Sequence, residues 1–153
     1  MGCADALCQM GNIYKLGIGY MNSKNPKPEI DKALECYKKA TKLGSATAYE
    51  KLGYMYNNGE GVEQDCDKAN EYYEKSYEIK VAICHYDTAI LLQYYNKDIT
   101  SAIQHYEKAA SLGFIGAYKY LAYLYQNGVG VSVDKHKAND YNQKANDLEN
   151  TEI

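Results

Sequence analysis

The sequence has no tryptophan, one phenylalanine and two prolines, and all 17 of its basic residues are lysine. Arginine's flat, forked guanidinium is the group of choice for clamping phosphates and reading base edges. A chain without it, carrying a net charge of -3 at pH 7, is not expected to bind nucleic acid. No apolar run is long enough to cross a bilayer, so no membrane insertion is expected. The N-terminus carries Asp5 and no basic-then-apolar run, so no secretion signal is visible and a cytoplasmic location is expected. Five cysteines at unequal spacings, with no C-x-x-C, argue for reduced, packed thiols over a disulfide framework. Met1-Gly2-Cys3 hints at acylation, but Ala6 stands where the myristoylation pattern wants Ser or Thr.

What is present is tyrosine, 18 of them in 153 residues. The joint richness in Lys, Asn, Ile and Tyr fits a bias in genome base composition. The organised stretch is Ala46 to Lys80, which carries Ala48, Leu52-Gly53, Met55-Tyr56, Gly59 and Gly61-Val62, then Asp65, Lys68-Ala69 and Tyr72-Tyr73. That order describes two short helices joined by a glycine-turned loop, with Asp65 capping the second. The pattern recurs, so the chain reads as an array. The Ala48 position becomes Ala6 in the first repeat, Cys84 in the third and Ala117 in the fourth, at spacings of 42, 36 and 33 residues. The departures from 36 match a six-residue insertion over 20–28 in the first repeat and a three-residue deletion before Asp98 in the third. The third repeat has also lost its glycine loop.

Helices this short are marginal alone and need neighbours to cover their apolar stripes. Small residues at Gly11, Gly53, Ala89 and Ala122, and at Ala33, Ala69, Ala102 and Ala138, would let helix axes approach closely. Leu, Tyr and the core slots of Cys36 and Cys84 would fill the remaining space. The pattern predicts helices over 4–16, 30–43, 47–57, 67–78, 82–95, 99–111, 116–126 and 135–148.

The string A-x-A-x3-L-G-x-M-Y-x2-G-x-G-V-x2-D-x2-K-A-x2-Y-Y-x-K resembles the Sel-one-like repeat, a relative of the tetratricopeptide repeat. The resemblance is closest over 46–76, good over 117–145 and 6–44, and weak over 84–113. It implies an all-α, right-handed superhelical solenoid of about four helix-pair repeats (eight helices). The chain would be one domain over 1–153, with repeats near 4–44, 46–80, 82–113 and 115–148, and the first helix of each pair would line a concave groove. It also implies a non-enzymatic adaptor or scaffold that holds a peptide or protein partner.

Positions 50, 54 and 57 lie opposite the buried stripe. Through the repeats this face carries Cys8, Asn12 and Lys15; Glu50, Tyr54 and Asn57; Tyr86, Ile90 and Gln93; Lys119, Tyr123 and Gln126. Few of these are charged. Tyrosine offers contact area with a hydroxyl at its tip, and Asn or Gln can pair with a peptide backbone. The partner-binding residues expected are therefore Asn12, Glu50, Tyr54, Asn57, Tyr86, Ile90, Gln93, Lys119, Tyr123 and Gln126. Residues 1–45 carry a net charge of +3 and residues 46–80 one of −4, which could steer an acidic partner to one end. No polar capping helix is visible, which suits self-association through terminal repeat faces or a fragment of a longer array.

Catalytic chemistry is not expected. Ser132-Val-Asp134-Lys135 fits S-x-x-K, but Ser132 precedes a helix where the β-lactamase motif needs it inside one, and the companion motifs are missing. A weak hydrolase acting on a small molecule such as a β-lactam is the enzymatic alternative. Some cysteine-rich members of the resembled family have been linked to β-lactams. Their repeat-bridging cysteines correspond to Thr41, Tyr77 and Ala110 here, so that link does not carry over. His85, His105 and His136 with Cys66 and Cys84 lack the close pairing of zinc ligands along the chain, and Cys84 and His85 leave a helix on different sides. No metal and no cofactor are expected.

Overall fold

The computed structural model describes residues 2–17 and 28–151. Among them are seven α-helices and no strand: α1 (Gly2–Leu16), α2 (Ile30–Thr41), α3 (Ala46–Asn58), α4 (Cys66–Leu91), α5 (Ile99–Ser111), α6 (Ile115–Asn127) and α7 (Lys135–Thr151). A π-helical segment, Leu92–Asn96, follows α4 directly. The all-α class stands. Residues 20–27 of the expected insertion lie outside the described residues. At its far end the Glu29 N–H donates to the Tyr14 carbonyl at 2.9 Å, which ties the start of α2 to the end of α1.

The helix starts and stops have local causes. Asp65, Asp98 and Asp134 each accept a bond from the amide three residues on, at 2.9, 3.0 and 2.9 Å. Ser45 does the same for Ala48 at 3.2 Å. These caps satisfy amides that a first turn leaves unpaired. At the other end, Gly59 and Gly128 adopt φ of 66° and 69° and return their N–H groups to Met55 and Leu124. A side chain there would be strained in the left-handed region.

Two expectations need correction. Eight helices were expected, and the segments 67–78 and 82–95 are instead joined in the 26-residue α4 and the π-helical segment that continues it. Gly44 and Gly113 turn the chain after α2 and α5 with φ of 72° and 84°, and Lys80 occupies their position in the second repeat. Glu78-Ile79-Lys80-Val81-Ala82 holds no breaker, and a lysine resists the left-handed turn, so the helix runs on. Its buried stripe is Ala69, Ser76, Ala82 and Ala89. Cys84 lies off that stripe and is exposed, not the core residue expected from its slot.

The chain divides into two compact units, Met1–Tyr77 and Glu78–Ile153. In the first, Ala33, Tyr37, Leu52 and Met55 form a core flanked by Tyr14, Ile30, Leu34 and Tyr72. Cys8, Ala40 and Ala48 form a smaller cluster beside it. In the second, Ala89, Ala102, Ile103, Tyr106, Ala109, Ala117, Leu121 and Leu124 belong to one larger core. Small residues set the helix spacing in both. A Cβ on Gly53 would lie 2.8 Å from the ring of Tyr73, so Tyr73 lies across that glycine.

A tyrosine–lysine arrangement repeats in the two units. Tyr56 stacks on Tyr72 with ring centroids 5.5 Å apart, and Lys68 sits 4.5 Å over the Tyr56 ring. Tyr125 stacks on Tyr141 at 5.8 Å, with Lys137 4.1 Å over the Tyr125 ring. Each set pairs the end of one helix with the first turns of the next, across the glycine loop, through face stacking and cation–π attraction.

Candidate interaction surfaces

The expected partner-facing residues divide between the two units. In the first, α1 and α3 supply Asn12, Glu50, Tyr54 and Asn57. Tyr54 is half exposed, at 50 %, and Asn57 is exposed. The neighbours of Tyr54 on α3, Leu52 and Met55, are fully buried. Lys15 lies 4.4 Å over the Tyr54 ring and pairs with Glu60 at 2.7 Å. The result is an exposed phenol under a cation of α1, which is itself paired with an acid in the loop after α3. Asn12 has a different task. Its side-chain oxygen accepts from the hydroxyl of buried Tyr37 at 2.8 Å. Cys8, assigned by spacing to the same open face, is instead buried, 3.4 Å from the Ser45 hydroxyl. Glu50 is half-buried.

In the second unit, Tyr123 and Gln126 of α6 are exposed, Tyr123 at 51 %. Lys119 is exposed too and pairs with Glu149 at 2.6 Å. Tyr86, Ile90 and Gln93 are half-buried. Tyr86 packs against Tyr106 and Phe114, with centroids at 5.4 and 5.0 Å, and Ile90 packs on the core. Gln93 accepts from the Tyr106 hydroxyl at 3.1 Å and donates to that of Tyr120 at 2.8 Å. Its amide thus satisfies two phenols that burial would otherwise strand. Burial raises the Tyr106 and Tyr120 phenols above their ordinary pKa, and it pushes Tyr37 up to about 12. All three remain neutral hydrogen-bonding groups, without nucleophilic character, near neutral pH.

The sequence pattern missed the Lys15–Glu60 pair around Tyr54 and the phenol cluster around Gln93. Both join residues far apart along the chain. The one available signal was repeat register, which places Lys15 at the position of Asn57. The patch beside Gln93 also includes Tyr94, which is exposed.

Ser132 is exposed in the loop before α7, and Lys135 is the first residue of that helix, so no helical turn joins them. Cys3, Cys8, Cys36, Cys66 and Cys84 are all free thiols, and burial raises the Cys36 pKa. Among the described residues no three His, Cys, Asp or Glu side chains gather as a metal set. His136 pairs with Asp140 at 3.3 Å on α7. His85 and His105 do meet, with Nδ1 atoms 3.1 Å apart. No helix among the described residues is long and apolar enough to cross a membrane.

Several solved structures are similar to the chain. A Sel1 repeat protein from Oxalobacter formigenes is 27% identical and matches over 95% of this chain and 58% of its own, with a TM-score of 0.45. A protective antigen of uropathogenic Escherichia coli displaying an SLR fold is 24% identical over 94% of this chain and 30% of its own, with a TM-score of 0.44. An immunity protein from Pseudomonas aeruginosa is 19% identical over 95% of this chain and 65% of its own, with a TM-score of 0.40. The chain therefore spans less than two thirds of the length of each of these proteins. No curated protein resembles the chain closely enough to count as a relative. The Sel1 repeat pattern matches residues 4–45, 46–79, 90–114 and 116–150. With four matches covering most of its length, the chain belongs to the Sel1 repeat family, whose members are generally protein-interaction scaffolds and typically not enzymes.

Proposed function

We propose that the chain is a non-enzymatic scaffold that takes a peptide or protein partner on the faces carrying Tyr54 and Tyr123. The observation that supports this reading is their matched placement. Each sits at the same repeat position, on α3 or α6, half exposed, two positions after a fully buried leucine (Leu52 or Leu121) and directly before a fully buried Met55 or Leu124. An exposed phenol ring costs little entropy to fix and offers apolar area with a polar tip. Asn57 and Gln126, three residues further on in each helix, are exposed amides suited to a peptide backbone. Lys119 and Glu50 belong to the rims. Asn12, Tyr86, Ile90 and Gln93 support these faces from behind, because their contacts are with the core.

The test is selection of binders from a displayed peptide library on the purified chain, then affinity measurement for Tyr54→Ala, Tyr123→Ala and the double variant. Anchor tyrosines at an interface commonly contribute about 2 kcal/mol or more on truncation. The double variant should therefore bind at least about 30-fold more weakly while keeping its circular dichroism spectrum. Affinity unchanged in the double variant would end this reading.

Self-association through a terminal face is the further expectation. Met10 and Ile13 of α1 are 45 and 43 % exposed, whereas Leu52 and Met55, at the same repeat positions of α3, are fully buried. A concentration-dependent rise in sedimentation coefficient that Met10→Lys abolishes is the expected result; a constant value at all concentrations would dismiss it.

A further inference from the structure

We propose that His85 and His105 form a two-histidine chelate for a divalent late transition-metal ion of the Ni2+, Cu2+ or Zn2+ class. His85 belongs to α4 and His105 to α5, and both rings are half-buried. Their Nδ1 atoms lie 3.1 Å apart, with ring centroids 5.2 Å apart and planes inclined by 46°. The helices that carry them are held by full burial of Ala89, Ala102 and Ala109 in one core, so the ligands project from packed, rigid elements. Imidazole suits all three ions. Two nitrogens 3.1 Å apart, each about 2.0–2.1 Å from a shared ion, subtend roughly 98° at it. That angle lies between the right angle of tetragonal coordination and the tetrahedral angle, so the separation suits a shared ion once each ring turns to aim its Nδ1 lone pair at it.

In the metal-free pair one Nδ1 carries the hydrogen and the other accepts it. Chelation uses both Nδ1 lone pairs, so that hydrogen moves to Nε2 of its own ring, with no change in charge. The remaining coordination positions go to water, because no third His, Cys, Asp or Glu joins the pair among the described residues. Cys84 precedes His85 but leaves α4 about 100° away around the helix. An open site of this kind clips α4 to α5 one residue along each helix from Tyr86 and Tyr106, which also meet across these two helices.

The probe is Ni2+ added to the full chain under thiol-reducing conditions and followed by calorimetry. One ion per chain is expected. His85→Gln or His105→Gln should weaken binding by at least about tenfold, whereas His136→Gln and Cys84→Ser should leave it unchanged. The same titration of the wild-type chain, read by NMR, should broaden the imidazole signals of His85 and His105 selectively. That readout needs no variant to fold. Absence of binding by the wild-type chain, binding retained in both glutamine variants, loss of binding in Cys84→Ser, or broadening centred on His136 would each overturn the proposal.

Discussion

At the scale of single residues, side chains that look alike in sequence divide into those that build the core and those that face water. Leu52 and Leu121 are fully buried. Truncating either to alanine deletes apolar contacts and leaves a cavity that neighbouring helices fill only in part. Denaturant unfolding should show a loss of about 2–5 kcal/mol for each. Tyr54→Ala and Tyr123→Ala, at half-exposed positions, should each fall within about 0.5 kcal/mol of the parent. That contrast makes the tyrosine variants clean probes of binding. The polar residues divide in the same way. Asn12 and Gln93 looked like open-face amides, yet they terminate the hydroxyls of Tyr37 and Tyr106. A phenol driven inward by its ring still needs a partner for its O–H, and the nearest amide supplies it. Spacing along one helix cannot show this, because the phenol comes from another.

At the scale of elements, the informative case is α4. The repeat pattern called for a turn near Lys80, and the helix continues through it. The two arrangements predict opposite signs for one substitution. In a turn of positive φ, Lys80→Gly would stabilise; inside a continuous helix it should destabilise by about 1 kcal/mol relative to Lys80→Ala. Thermal unfolding of the three proteins decides between them. The end of α4 shows the reverse substitution of roles. The third repeat lacks the Gly59-type loop, and Lys97 takes the left-handed conformation, with φ 55°, that glycine takes in its neighbours. The capping aspartates were legible because capping depends on residues three apart and on nothing distant. Asp98 shows the consequence: hydrogen bonds from the Ser101 side chain and amide hold its carboxyl below the ordinary pKa.

At the scale of the whole molecule, the abundance of tyrosine sets how the chain responds to alkali. Burial pushes Tyr37 and Tyr141 up to about 12, and raises Tyr106, Tyr72, Tyr86 and Tyr120 as well, from an ordinary value of 10. The folded chain holds these protons where the unfolded chain has released them, so the unfolded state binds fewer protons above pH 10. Stability is therefore full below pH 10 and declines as pH rises toward 12. The raised lysines Lys68 and Lys137, each hydrogen-bonded to a tyrosine, act in the same direction. A thermal midpoint that falls over that interval, in step with tyrosinate absorbance, is the expected result; an unchanged midpoint would refute it. By itself the sequence determined the helical class, the repeat register, the capping residues and the family, because each rests on periodicity or on neighbours within a few positions. Only the tertiary structure decided that two helices run together as α4, which amides serve the core, that Lys15 and Glu60 meet around Tyr54, and that His85 lies against His105. Those outcomes depend on which helix packs beside which and how closely, and small buried residues set that distance through contacts no local pattern encodes.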